Sequence, residues 1–531
     1  MKFFYLGESH PDPLQLCLDM IIESPELAVD IETVSLKDKT LLGVGLTNSP
    51  NYGFYFMAGS EWWEKLKLAL EIPRIKVFHN ALYDIPILRE NGIWIDEPIE
   101  DTMLMARIIN YPQKLQDLAA LYGYFYVKTV EEVLGDKEKM SDLPLEAIAT
   151  KCINDVKATI GTYYKIKPKI AGQELPYITD RNIIPVLATV QERGLKVDQQ
   201  ERAKLEVQLI KNLEWYKNIC SGQGFNPASP LQVGMTLANR GNFLPFTKSK
   251  SKPRLKTSEE VLEALDDPLA QLVLLYRHDA KQYNTYIKPL EGQERAYTHF
   301  HLDAITARIS STNRNMQNIP PSIRSMFLGP YTDMDFSQIE LRVLAYMSQD
   351  PIMLEVFNHA DGTEEGDIHF STMKAFDVTD RRVAKKYNFA QVYGANVTLL
   401  ARICHIPLES AANFRTKWFN KYKGAANWMS QTQTFAKKNH YVETLFGRKI
   451  YIKEFDYMDG WEEAMRKAIN YPIQAGAAEL VKMGMYKCKH LPMLLQVHDE
   501  LLFDGKVEVP DLNWLGGIKT PYKTEHKERW S

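Results

Sequence analysis

The chain has 531 residues, with 64 lysines and arginines against 67 aspartates and glutamates, and 45% of it is hydrophobic. That balance excludes a disordered chain, and no window approaches the roughly eighteen apolar residues of a membrane span. The length predicts about three or four domains with ample core. A formal net charge of -3 gives no sign of a nucleic-acid partner, but acids that bind metals would offset basic grooves, so local charge is the better guide. The opening MKFFYLGESHPDP matches neither a secretory signal nor an arginine-rich transit peptide, so the protein is expected to stay where it is made. Cys17, Cys152, Cys220, Cys404 and Cys488 are scattered without a CxxC, which argues against zinc or a disulfide framework and fits a reducing cytoplasm.

In chain order, Leu27 to Thr33 reads as a strand that puts the carboxylates of Asp30 and Glu32 on one face, because side chains repeat every second residue. Leu41 to Leu46 reads as the next strand and Val77 to Asn80 as a strand end. Ala81 to Leu88 follows as a helix with Asp84 in its first turns. Leu145 to Tyr164 is helix-like, with Ile148, Cys152, Asp155 and Thr159 at spacings of three and four. A single DxE is most often a solvated strand edge. The order DIET, HNALYD, CINDVKAT, however, resembles the DEDD 3′ to 5′ exonuclease domain that precedes the polymerase in family A DNA polymerases.

That resemblance implies an RNase H-like domain over residues 1–170. It makes Asp30, Glu32, Asp84 and Asp155 catalytic metal ligands, with Thr33, Leu36 and Asn80 lining the site for the terminal nucleotide. One position departs from the family: Lys151 stands where a tyrosine is usual, four residues before the last aspartate. A lysine cannot accept the same hydrogen bond and brings positive charge to the metals, so the implied proofreading is expected at reduced rate.

Lys165 to Pro176 is the linker expected from its prolines and glycine. Asp198 to Cys220 then reads as an amphipathic helix with Leu205, Leu209, Ile210 and Leu213 on its apolar stripe. From Arg240 to Lys256 there are six basic residues and no acid, with Phe243 and Phe246 interleaved. Such a run is either a solvated face or a tip that binds a nucleic-acid backbone. The stretches FNPASPLQ, LKTSEEVLEAL and LVLLYRHDAKQYNTYIKPL resemble the family's thumb; Arg277 and Lys281, four apart, would follow successive phosphates. TARISSTNRNMQNIP, otherwise a polar loop, resembles the family closely and implies that Arg308, Asn315, Gln317 and Asn318 reach the primer-template backbone.

YTDMDFSQIELR reads as a strand delivering Asp335, turning into a helix near Ser337 with Glu340 and Arg342 in its first turns. LLQVHDELLF reads as a hairpin with His498, Asp499 and Glu500 at its bend. Either acid alone is as readily an N-cap or a turn residue; together they could share a metal pair. In RRVAKKYNFAQVYG, the residues Arg381, Lys385, Phe389 and Tyr393 recur every four and form a stripe on a helix, cations first and rings second.

These stretches resemble the family's palm and fingers motifs. The resemblance implies that Asp335 and Asp499 hold both metals, with Glu340 as a steric gate against a ribose 2′-hydroxyl. Gln338, His369 of DIHF, Arg381, Lys385, Phe389 and Tyr393 would bind the incoming nucleotide, Lys385 also acting catalytically. Phe389 rather than tyrosine implies poor acceptance of dideoxynucleotides. Arg466, Asn470 and Gln474 of RKAINYPIQAG would contact the minor groove, and His498 would sit near the primer end.

The implied fold is an α/β and α+β multidomain chain, an RNase H-like exonuclease followed by a right-hand polymerase. Its thumb spans 171–296, mainly helical with a basic tip at 240–256; its palm spans 297–345 and 440–531, and its fingers 346–439. The implied function is template-directed DNA synthesis in replication with linked 3′ to 5′ proofreading. Each active site would use two Mg2+, with Mn2+ as substitute. Primer-template DNA and dNTPs are the expected partners of a monomer with no membrane contact, in the cytoplasm of a bacterial or phage-infected cell. No 5′ nuclease domain is expected ahead of residue 1, and only a brief tail follows Phe503, a compactness that suits a phage-type replicase. The alternatives are a repair polymerase with weak or inactive exonuclease, a single-subunit RNA polymerase, which Glu340 speaks against, and a DNA-binding protein or nuclease with a degenerate polymerase body, which the intact Asp335, Lys385 and Asp499 speak against.

Overall fold

The computed structural model describes residues 3–95, 97–123, 127–247, 254–359, 363–457 and 460–530. Its N-terminal sheet has six strands in the order Phe4–Leu6, Gly53–Met57, Leu41–Thr47, Glu26–Thr33, Ile75–Phe78, Ile99–Asp101. The first four are antiparallel, and Glu26–Thr33, Ile75–Phe78 and Ile99–Asp101 run parallel. Helix Leu145–Ile166 lies across this sheet. Its approach depends on Gly45, directly opposite Asp30, since a Cβ there would meet Cys152 Sγ at 2.8 Å.

The expected linker at Lys165 to Pro176 is not an open segment. Helix Leu145–Ile166 passes straight into a 3-10 turn, Lys167–Ile170, and helix Glu174–Asn182 starts three residues later. The prolines that suggested a break sit in first turns, where a missing N–H costs nothing. Helices Glu174–Asn182 and Ile184–Arg193 then pack on helices Ala81–Glu90 and Trp461–Lys487 and on strand Met493–Val497. A buried ion network ties them there: Arg448 reaches Asp180 at 2.9 Å and Glu479 at 2.7 Å, and Lys482 reaches Asp180 at 2.6 Å. This stretch is bound to the parts on either side of it.

Long helices Gln199–Gly222 and Pro268–Gln282 pair beyond it. Asp198 caps the first, accepting from the amides of Gln200 and Glu201, a cap worth about 1 kcal/mol. Of the basic run, Lys248, Lys250 and Lys252 lie outside the described residues. Arg240 is not free: it makes a two-pronged ion pair with Asp267 at 2.9 and 3.1 Å, an acid the run itself does not contain. Phe243 and Phe246 are exposed.

The C-terminal body is built on a four-stranded antiparallel sheet in the order Met493–Val497, Glu500–Asp504, Leu328–Phe336, Tyr522–Arg529. The last strand corrects the reading of a brief tail, for it completes the sheet beside Leu328–Phe336. Trp530 behind it is fully buried and donates from Nε1 to Glu500 at 2.8 Å. Helices Pro351–Asn358, Ile368–Phe376, Arg381–Val392, Val397–Cys404, Leu408–Lys421 and Lys423–Asn439 form a helical body beside the sheet. No described helix is long and apolar enough to cross a membrane.

Candidate active sites

Asp335 ends the strand Leu328–Phe336, and Asp499 lies in the turn between Met493–Val497 and Glu500–Asp504. The two meet because Asp335 stands opposite Glu500 and the amide of Phe336 donates to the carbonyl of Asp499 at 3.1 Å. After Phe336 the chain turns through Gln338 in a left-handed conformation, φ 56°, and the helix starts at Ile339, two residues past Ser337. The same conformation at His498, φ 56°, turns the hairpin.

Both acids line one cleft of about 470 Å³, within the range of small-molecule sites. Asp335 is exposed to the cleft. Even so, the protein around it and the charges of Asp499, Glu500 and Asp333 push its pKa up to about 7, against a smaller lowering by Lys385. Burial also raises Asp499. Carboxylates crowded until they resist ionising form an oxygen donor set that suits a hard divalent cation.

The opposite wall carries Arg381, Lys385 and Phe389 from helix Arg381–Val392 and Tyr393, which follows it directly. The Phe389 and Tyr393 rings lie stacked at 6.1 Å, and Lys385 Nζ stands 5.8 Å from the Phe389 ring. Gly394 must follow Tyr393, since it has φ 64° and a Cβ there would press on the Arg466 backbone at 3.1 Å. Arg381 pairs with Asp367, Nε to oxygen at 2.8 Å. His369 is buried and Asn388 holds its Nδ1 at 3.0 Å. Burial, opposed by Asp367, lowers its pKa to about 4, so the ring is neutral. Accepting at Nδ1 leaves its Nε2 as the donor.

Glu340, buried, takes Arg308 on one oxygen at 2.5 Å and the Tyr393 hydroxyl on the other at 3.2 Å. The Gln474 amide, oriented to donate to Thr306 Oγ1 at 2.7 Å, accepts from Arg308 at 2.9 Å. Gln338, His498 and Lys523 complete the lining, and Gln338 Oε1 is buried without a partner. Lys523 was not singled out in the sequence, because the strand that sets it opposite Asp335 was read as tail.

Other expected contacts lie outside the cleft lining. Gln317 is buried and its amide donates to the Gln496 carbonyl at 3.3 Å and to Gln496 Oε1 at 2.8 Å, so it braces the strand before Asp499 and both its amide hydrogens are taken. Asn315 caps the turn Met316–Asn318, while Asn318 is exposed. Arg277 is turned inward onto Thr257, bonded to its carbonyl and, at 3.2 Å, to its hydroxyl; only Lys281 of that pair is exposed. The spacing of four was right for one helical face, but the loop packed on that face claims the arginine. Arg466 Nε and Asn470 Nδ2 are buried donors without a protein partner.

The N-terminal acids also converge. Asp30 and Glu32 lie on one face of Glu26–Thr33, with Asp155 and Cys152 from helix Leu145–Ile166 and Asp84 from Ala81–Glu90. Cys152 Sγ is 3.5 Å from Asp30 Oδ2, and donor atoms of Asp30, Glu32 and Cys152 lie within 4.8 Å of one another. Burial first, then the charges of Asp155 and Glu32, lifts Asp30 well above the carboxylate range; burial and Asp30 do the same for Asp84. Burial, opposed by Lys151, puts Glu32 at about 7 and also raises Asp155.

Lys151 Nζ bridges Glu32 at 2.7 Å and Asp155 at 2.8 Å. Burial opposes its charge, but Asp155, Glu32 and Asp30 outweigh that and hold the ammonium well above the usual lysine range. The sequence predicted a lysine near these acids but not a lysine shared between two of them. Thr33 bonds the Tyr83 hydroxyl at 3.1 Å, Leu36 is exposed, and Asn80 lines a separate hollow with Asp101 and His301.

The two sets of acids correspond to two matched regions. The family model described as DNA polymerase family A matches residues 197–511, and that described as 3'-5' exonuclease matches residues 12–171. DNA polymerase I of Synechocystis sp. is 30% identical over 92% of this chain and 56% of its own length. That of Bacillus subtilis is 32% identical over 79% of this chain and 52% of its own. The chain thus spans about half the length of these curated relatives. In fold it is similar to the solved POL domain of Pol1 from M. smegmatis, with a TM-score of 0.80 at 22% identity, covering 98% of this chain and 99% of that one. With the match running through both the Asp335 strand and the Asp499 turn and taking in more than half of the chain, this protein belongs to DNA polymerase family A.

Proposed function

We propose that the chain is a template-directed DNA polymerase that adds dNMPs to a primer 3′ end, with a linked 3′ to 5′ exonuclease. The observation that carries this reading is the single cleft in which Asp335 and Asp499 face Arg381, Lys385, Phe389 and Tyr393. A triphosphate would take the Arg381 and Lys385 charges by charge-assisted hydrogen bonds, and the base would lie on the aromatic end. Arg381, now held by Asp367, would exchange that partner for the phosphates. His369, neutral, donates from Nε2 without adding charge. Asp335 and Asp499 would hold divalent cations, Mg2+ with Mn2+ as substitute, which when bound activate the attacking 3′-hydroxyl and offset charge on the leaving pyrophosphate. Arg466, Asn470, Gln474 and His498 are proposed to meet the primer-template, and the buried unpartnered donors of Arg466 and Asn470 support that.

Glu340, held by Arg308 and Tyr393 in the cleft lining, supports a deoxy product, since a fixed carboxylate beside the sugar would exclude a 2′-hydroxyl. The cellular role proposed with this activity is replication in the cytoplasm of a bacterial or phage-infected cell, by a monomer. The deciding experiment is primer extension with Mg2+ and dNTPs. Extension lost in Asp335→Ala and in Asp499→Ala is expected; extension unaffected by both would remove the reading.

A second reading, a polymerase with a weakened exonuclease, is favoured by the Lys151 ion pairs. Degradation of a mismatched primer tests it: Lys151→Tyr should act faster than the parent, and an unchanged or slower rate counts against it.

A further inference from the structure

The N-terminal acidic centre is partly neutralised by the chain itself. Lys151 Nζ stands 2.7 Å from Glu32 Oε1 and 2.8 Å from Asp155 Oδ2, direct ion-pair distances on both sides. A divalent ion held jointly by these same oxygens, at about 2.0–2.6 Å from each, would overlap the ammonium. The lysine is itself only 8% exposed and sits one helical turn before Asp155, so its reach is set by a buried helix that glycine-lined strand Leu41–Thr47 holds against the acids. A lone ammonium neutralises carboxylates but offers no coordination position to a substrate oxygen.

It does not complete the centre. Asp155 Oδ1 is buried without a partner. On the other side the Asp30 carboxylate has, among the described residues, only the weak Cys152 thiol donor, and Asp84 stands beside it. The carboxylates therefore fit one further cation but not two.

We propose that Lys151 is a tethered cation occupying one of two cation positions in this centre, so that the centre takes a single divalent ion, on the Asp30 and Asp84 side. This deepens the reading of the centre as an exonuclease site and rests on it for the meaning of the second position.

The test counts ions. The full chain carrying Asp335→Asn and Asp499→Asn, so that the cleft does not contribute, is titrated with Mn2+ and read by electron paramagnetic resonance. One bound ion with the spectrum of an isolated centre is expected, lost on adding Asp30→Asn. Lys151→Met, of similar length without the charge, should bind two, with the broadened signal of a coupled pair, and Lys151→Arg should stay at one. A count of none or of two with Lys151 present overturns the proposal, as does a count of one in folded Lys151→Met. If Lys151→Met does not fold, the count on the lysine-bearing chain still decides. The exonuclease reading is judged separately by 3′-end degradation in Mn2+: no degradation with one ion bound would sink that reading and leave the cation assignment standing.

Discussion

Phe336 donates its backbone amide to the carbonyl oxygen of Asp499 at 3.1 Å, one residue past Asp335 on its strand. This bond fixes the spacing of the two cleft acids through main chain alone, so replacing either side chain leaves the architecture intact. Asp335→Asn and Asp499→Asn should therefore bind primer-template as tightly as the parent but extend it at least about a thousand-fold more slowly, the loss expected when several kcal/mol of charge stabilisation disappear. Single-turnover extension beside a fluorescence binding titration checks this. A variant that loses DNA binding along with extension would mean the acids hold the fold and not the chemistry.

The raised Asp335 has a consequence for stability. An ordinary aspartate releases its proton near 3.8, whereas in the folded protein the pKa of this one is pushed up to about 7, mainly through the protein packed around the cleft and the charge of Asp499. Between those values the folded state binds more protons than the unfolded state, so this group's contribution to stability falls as pH rises through the window. Without metal, this group's contribution to thermal stability should thus drop from about pH 4 to about pH 7, and Asp335→Asn should flatten that drop. Mg2+ binds the ionised form and should raise the melting temperature more at the higher pH. An Asp335→Asn variant with the parent's pH profile would exclude this group as the cause.

Gln317 is predicted to matter through Gln496 and not through DNA. Its amide donates to Gln496, whose own amide donates to the His498 carbonyl at 2.6 Å, so the pair props the turn that carries Asp499. Gln317→Leu leaves a buried acceptor unpaired, at about 1–3 kcal/mol. Urea unfolding should register that cost. The salt dependence of DNA binding should not change, and a shallower salt slope would instead restore Gln317 as a backbone contact.

Most of the cleft was legible because its chemistry sits in short stretches with a fixed period. The stripe of Arg381, Lys385, Phe389 and Tyr393 follows from helical geometry, while Asp335 lies near the end of one strand and Asp499 in the turn after another. What stayed hidden depends on contacts between distant segments. Arg277 shares a helical face with Lys281 yet is taken by Thr257, and Arg240 belongs to a basic run yet is taken by Asp267. The strand Tyr522–Arg529 is nearly all polar, so only its pairing with Leu328–Phe336 identifies it. The Lys151 substitution was visible as an oddity, but which carboxylates it joins is a fact of three dimensions.

Arg448 is the strongest case of such a hidden residue, because in the sequence it is one cation in a glycine turn. Folded, it is 4% exposed and joins Asp180 of the connecting helix to Glu479 of helix Trp461–Lys487, while its remaining nitrogen donates to the Pro176 carbonyl at 3.2 Å. Lys482 shares Asp180 but not Glu479, so without Arg448 the buried glutamate keeps the Thr444 hydroxyl but loses its cation. Arg448→Met should cost about 3–5 kcal/mol, the range for breaking one side of a buried ion pair. Adding Glu479→Gln removes the orphaned charge and should recover part of the loss, which no additive pair of independent sites would do. Urea unfolding of the single and double variants makes the comparison. If the double variant is less stable than Arg448→Met, the penalty comes from lost packing and not from the stranded carboxylate.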